Sequence, residues 1–187
     1  MCDGGCSERS VVPPPFPTSD IEHPTSDIPM KLTQIVSQGA IVAKLGSTER
    51  DAAITQLVDA LISSGAADAS LRPELISRVL ERERIGSTGF GKGIAVPHVK
   101  HKSVKKLAAA VGLSSTGIDF NALDHQPVYT IFLLLSPADR PDDHLQAMEV
   151  IFKHLSQETF RRFLRQAQSA EDAWTLLEEA DGRHMGG

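Results

Sequence analysis

The sequence predicts an α/β domain in which a mixed β-sheet is flanked by helices on both faces. Three observations carry this. Helical stripes of apolar residues lie on both sides of a block of short β-type runs. One of those runs, Val128 to Leu135, is apolar almost throughout, as a strand covered on two sides must be. The chain of 187 residues, 41% hydrophobic, can bury one sizeable core with a tail to spare.

The elements follow in order. Ile54, Leu57, Val58, Leu61 and Ile62 recur at helical spacing, and Gly65 is placed to stop that helix. Ser70 and Pro73 open a second helix with Leu75, Ile76, Val79 and Leu80 on its apolar face. Strand-like runs come next at Ile94–Val96, Leu107–Leu113 and Val128–Leu135. Leu145, Met148, Ile151, Phe152 and Leu155 form a third helical stripe, and Phe160, Phe163 and Leu164 a fourth. Ser169 caps a last helix carrying Ala173, Trp174, Leu176 and Leu177. These stripes read as core.

Outside this block the pattern fails. Residues 1–29 read as a flexible leader, with Pro13, Pro14, Pro15, Pro17 and Pro24 among serines and threonines. The near-repeat Pro17–Ile21 and Pro24–Ile28 is too short to build a solenoid. Cys2 and Cys6 would close only a tiny loop and read as exposed thiols. The domain is expected over residues 30–182, with residues 183–187 frayed.

Charge and hydropathy exclude several classes. A net charge of -5 and a pI of about 5.8 argue against a nucleic-acid partner. No apolar stretch approaches the roughly 20 residues that span a bilayer, so no direct membrane insertion is expected. Nor does the N-terminus carry a secretory h-region, which leaves the cytoplasm as the expected location.

The stretch from Glu81 to His98 carries the chemistry. Gly86, Gly89, Gly91 and Gly93 make a loop able to take positive φ and bring backbone N–H groups to an anion. The run Ile94-Ala95-Val96 follows, Pro97 is expected to end its ladder, and His98 is presented at the strand end. The glycine spacing fits neither the dinucleotide nor the P-loop pattern. On these residues alone, His98 is either a nucleophile or an inert strand-end histidine.

The run Gly-Ser-Thr-Gly-Phe-Gly-Lys-Gly-Ile-Ala-Val-Pro-His, residues 86–98, closely resembles the signature of the fructose/mannitol/nitrogen-type (type 2) enzyme IIA domains. These belong to the bacterial phosphoenolpyruvate-dependent phosphotransferase system. The resemblance covers about residues 30–180 and includes Ser136-Pro137-Ala138-Asp139 and His144-Leu145. It implies the enzyme IIA fold and a phosphoryl-transfer role. His98 would accept phosphate from the histidine-containing phosphocarrier protein and donate it to a cysteine of an enzyme IIB domain. His144 falls on the second histidine of the family, and Arg82 on its arginine. The Gly-Ser-Thr wording is closer to the nitrogen-regulatory branch, where the phosphorylation state signals to a target protein.

The residue types suit that chemistry. Free imidazole titrates near 6.5, so a histidine is available as a neutral nucleophile at pH 7. Transfer then depends on positioning and on stabilising the phosphoryl oxygens. Arg82 offers a guanidinium fork, His144 a hydrogen bond, and Ser87, Thr88, Gly89, Gly91 and Gly93 a phosphate-binding loop. Arg82 could equally end a solvated helix, His144 could simply open one, and Ser87 and Thr88 could merely shape the loop. No cofactor or metal is required.

Two departures from the family pattern stand out. Val99 occupies a position usually held by a small residue. Lys100, His101, Lys102, Lys105 and Lys106 form a basic cluster that would steer an acidic partner, or simply face solvent. Two other functions compete with the regulatory one. One is a relay in uptake of fructose- or mannitol-like sugars, through separate IIB and IIC partners. The other is a metal-binding module built on His98, His101 and His144.

Overall fold

The computed structural model describes Met1 and residues 30–182; the proline-rich leader with its two cysteines, and residues 183–187, lie outside the described residues. The chain order is α1 (Leu32–Ile35), β1 (Val36–Val42), α2 (Arg50–Ser63), a short 3₁₀ turn (Ala69–Leu71) and α3 (Arg72–Ile85). Then come β2 (Gly89–Gly91), β3 (Ile94–Ala95), β4 (His98–His101), β5 (Ala108–Ile118) and β6 (Val128–Pro137). Helices α4 (Pro141–Leu155), α5 (Glu158–Gln166) and α6 (Ala170–Gly182) complete the domain.

The sheet has six strands in the order β1-β5-β6-β3-β2, with β4 also paired to β6. It is mixed: β1 runs parallel to β5, β5 antiparallel to β6, and β6 parallel to both β3 and β4. Alternation along β6 splits the core in two. Ile131, Leu133 and Leu135 face Leu57, Leu61, Leu75 and Val79 of α2 and α3. Phe132 and Leu134 face the other way, toward Ile151, Leu155, Leu164 and Leu177 of α4, α5 and α6. The helices therefore cover both faces, as the apolar stripes require.

Local chemistry sets the element ends. Gly65, at φ 77°, follows α2 as a left-handed residue. Asp68, rather than Ser70, caps the next segment by accepting from the Ser70 N–H at 2.8 Å, and Pro73 sits in the first turn of α3. Ser169 and Asp172 form a reciprocal cap on α6 through two bonds of 3.0 and 3.1 Å.

Pro97 does not end the ladder, contrary to the expectation from sequence. The offset to β6 is 36 residues both at Ile94, opposite Thr130, and at His98, opposite Leu134. β3 and β4 thus form one line along β6, interrupted at Val96 and Pro97. Across the gap, the Val96 N–H turns to the carbonyl of Thr88 at 3.1 Å, while the Pro97 carbonyl accepts from the Leu134 N–H at 2.9 Å. Proline lacks the N–H that a regular parallel ladder would direct at β6 here, but its carbonyl still accepts from Leu134, so the register survives the loss of one ladder bond.

Candidate functional site

His98 opens β4, and period-two alternation places it with Ile94 and Val96 on the sheet face covered by α4. Its half-buried ring packs beside His144, ring centroids 5.5 Å apart. Nδ1 of His98 lies 3.0 Å from the carbonyl oxygen of Val96. A carbonyl only accepts, so Nδ1 carries the hydrogen and, in the neutral ring, Nε2 carries the lone pair. Val96 sends its N–H to Thr88 rather than to β6, and its carbonyl is the acceptor that fixes this tautomer.

The loop between α3 and β2 is anchored from below. Glu83, on α3 and 3% exposed, accepts from the N–H of Thr88 at 2.8 Å and from its hydroxyl at 2.6 Å. The Thr88 carbonyl takes the Val96 N–H, and the Val96 carbonyl takes His98 Nδ1. A chain of hydrogen bonds thus runs from a buried carboxylate to the imidazole. The Ser87 hydroxyl donates to the Phe120 carbonyl at 2.7 Å and accepts from the Gly89 N–H. Both hydroxyls of the loop are engaged in shaping it.

His144 lies in the first turn of α4, buried, with Nδ1 2.8 Å from the hydroxyl of Ser136 on β6. Burial, then the charge of Lys100 and the proximity of His98, lower its pKa to about 4. The ring is neutral at pH 7 and can donate from one nitrogen while accepting at the other. Lys100 shares the His98 face of β4, two residues on, and pairs in register with Ser136.

The remaining candidates are distributed unevenly. Arg82, in the last turn of α3, donates from Nη1 to the Gly86 carbonyl at 3.0 Å, and among the described residues it bonds neither imidazole. Gly89 pairs with Ala95 in the β2–β3 hairpin, and a Cβ there would lie 2.8 Å from Ala122 Cα, so its glycine is a packing requirement. Gly91 and Gly93 flank the hairpin turn next to Asp124 and Tyr129. Ile94 and His98 are four residues apart along β6, or about 13 Å, so the structure does not bring this turn to His98.

His101 lies on the opposite face of β4 from His98. It is 5% exposed, with Nε2 3.0 Å from a Glu74 carboxylate oxygen and Nδ1 accepting from the Ser103 N–H. His98, His101 and His144 therefore do not converge, and no three His, Cys, Asp or Glu side chains gather to hold a metal among the described residues. Val99 is extended and packs into the α2/α3 side of the core, where a β-branched residue fits a strand. Sequence reasoning missed the roles of Glu83, Ser136 and Lys100. Only a β-period starting at His98 could have pointed to Lys100, and Pro97 obscured it.

Comparison with known proteins follows the same line. Residues 34–180 match the family model described as phosphoenolpyruvate-dependent sugar phosphotransferase system, EIIA 2. A nitrogen regulatory protein of Escherichia coli (strain K12) is 40% identical over 119 residues, covering 63% of this chain and 73% of that one. A PTS system fructose-specific EIIA component of Haloferax volcanii is 35% identical over 130 residues, 70% of this chain and 83% of its own. The crystal structure of nitrogen regulatory protein IIA-Ntr from Neisseria meningitidis superposes with a TM-score of 0.69 at 27% identity, covering 76% of this chain and 96% of that one. IIA mannitol from Escherichia coli shares the fold, with a TM-score of 0.63 at 20% identity over 75% of this chain and 96% of its own.

Proposed function

The chain belongs to the EIIA 2 family of the phosphoenolpyruvate-dependent sugar phosphotransferase system, and on that premise we propose that it is a cytoplasmic phosphocarrier with Nε2 of His98 as the acceptor atom. The observation that carries this reading is the His98 Nδ1 bond to the Val96 carbonyl, which leaves Nε2 as the nucleophilic nitrogen beside a neutral histidine. In the forward step Nε2 attacks the phosphorus of the phosphohistidine on the histidine-containing phosphocarrier protein. The donor P–N bond breaks, its electron pair returns to the donor imidazole, and a new P–N bond forms on His98.

Three groups serve the transferring phosphoryl on this reading. The Ser136 hydroxyl donates to His144 Nδ1, which puts the ring hydrogen on Nε2 and aims an N–H donor at a phosphoryl oxygen. Lys100 supplies the nearby positive charge. Arg82 swings from Gly86 to bind the phosphoryl group bidentately; its hydrogen bond there is exposed and inexpensive to break. On this reading Ser87, Thr88 and Gly89 serve His98 by shaping the loop beneath it, since both hydroxyls and the N–H groups of Thr88 and Gly89 are already bonded to Phe120, Glu83 and Ser87; Gly91 and Gly93 lie away from the site.

The phosphorylated domain passes its group to an enzyme IIB cysteine or signals to a regulatory target. The similarity to the Escherichia coli nitrogen regulatory protein supports the signalling role. The Haloferax volcanii relative supports the alternative, relay into sugar uptake through separate IIB and IIC partners. The test is phosphate incorporation from phosphoenolpyruvate in the presence of enzyme I and the phosphocarrier protein. Wild type should gain an acid-labile, alkali-stable phosphate that His98→Ala does not. No incorporation into folded wild type, or undiminished incorporation into the variant, overturns the assignment.

A further inference from the structure

The other end of the β3–β6 pair holds a cluster of cations that the phosphoacceptor site does not use. A cleft of about 250 Å³ opens there, lined by Lys92, Tyr129, Glu158, Arg161, Arg162 and Arg165. Four of these are cationic and one is acidic. Among the described residues none of the four cations forms an ion pair. Three arginines on one short helix whose own acidic residue is Glu158 alone repel one another, and the excess of positive charge stands out in a chain of net charge -5.

The guanidinium groups of Arg165 and Arg161 are held by partners other than a carboxylate. The Arg165 guanidinium stacks 3.5 Å from the centroid of the Tyr129 ring. Stacking uses the face of the guanidinium and leaves its rim of N–H donors in the plane, suited to two phosphate oxygens. Arg161 donates from Nη1 to the carbonyls of Leu155 and Ser156 at 2.7 and 2.8 Å, which fixes it at the α4–α5 corner. Lys92 sits at φ 57° between Gly91 at 91° and Gly93 at 77°, with its N–H held by Asp124 at 2.7 Å. A non-glycine residue in that region is strained. The two flanking glycines, remote from His98, thus bring Lys92 to this cleft.

An apolar hollow of about 210 Å³ adjoins it, lined by Phe90, Phe152 and Leu155 and sharing Lys92 and Ile94 with the cleft. Phe90 stacks on Phe152 with centroids 4.7 Å apart, yet remains 59% exposed. Each hollow alone is below the roughly 300–1,000 Å³ of ordinary small-molecule sites, whereas the two together reach it. We propose that they form one binding site for a small phosphate ester, with the phosphate among Lys92, Arg162 and Arg165 and an aromatic body on Phe90. A nucleoside monophosphate has that chemistry.

The experiment titrates the full chain with AMP, ribose 5-phosphate and adenosine, followed by amide chemical shifts and calorimetry. AMP should bind about tenfold more tightly than either fragment. The Arg162→Gln/Arg165→Gln double variant, altered only at exposed side chains, should lose about tenfold for AMP and nothing for adenosine. Phe90→Ala should bind AMP no better than ribose 5-phosphate, and His98→Ala should bind it as wild type does. No saturable binding up to about 10 mM, or affinity unchanged in the double variant, overturns the proposal. So does loss of AMP binding in His98→Ala, which would put the anion at the phosphoacceptor site.

Discussion

His144 ties one side chain to the stability of the fold. Its ring is held at about 4 in the native protein and returns to about 6.5 when the chain unfolds. Between these values the unfolded chain binds the extra proton, so stability rises with pH through that window and is lost on acidification. The effect amounts to at most about 3 kcal/mol. Urea midpoints between pH 4 and 6.5 should fall more steeply for wild type than for His144→Gln; parallel curves would remove His144 from this role. The sequence pointed to His98 and His144 through a motif of thirteen residues and a helix start. Glu83 could not be picked out, because Glu-Arg-Glu-Arg reads as a solvated helix end until the helical turn is known to carry one of its carboxylates inward.

At the scale of elements, the two glycines that flank the signature's Ser-Thr make opposite demands. Gly86 has extended backbone and open space around its missing Cβ, while Gly89 is pressed against Ala122. Gly86→Ala should therefore change stability by no more than about 0.5 kcal/mol. Gly89→Ala should cost about 2 kcal/mol, because backbone rather than a flexible side chain must move. Thermal denaturation of both variants checks the contrast, and equal effects would undo it. The same region explains which strands were legible. The apolar runs of β5 and β6 were visible, although β5 continues to Ile118 through Ser114 and Thr116. β1 was hidden by Ser37, Gln38 and Gly39, β2 by its glycines and β4 by the proline before it. Those strands owe their conformation to pairing with neighbours rather than to their own pattern.

At the scale of the molecule, the two-sided core followed from the helical stripes, but the strand order did not, since a local pattern says nothing of which strand a neighbour will pair with. Charge distribution was equally hidden by the net value. Lys102, Lys105 and Lys106 are all exposed beyond β4, on the segment that leaves the phosphoacceptor strand. Reversing all three to Glu should slow phosphorylation by an acidic donor about tenfold at low salt, with the difference shrinking as salt screens the field. An unchanged, salt-insensitive rate would leave the cluster as ordinary solvated surface.

Asp181 holds together the two ends of the described domain. Its carboxylate, on α6, accepts from the N–H of Leu32 at 2.8 Å and from the N–H and hydroxyl of Thr33 at 2.9 and 2.8 Å. The partners are 149 residues apart, so closing that loop from an open chain costs about 4 kcal/mol in entropy alone. A contact that expensive forms late, after the sheet has shortened the distance, and belongs to the native side of the folding barrier. Asp181→Ala should then accelerate unfolding about thirtyfold, for a loss of about 2 kcal/mol, and leave refolding unchanged. Denaturant-jump kinetics would read this directly, and an equal slowing of refolding would place the clasp in the transition state. On this account Asp181 acts as a latch, setting how long the domain stays closed rather than how quickly it forms.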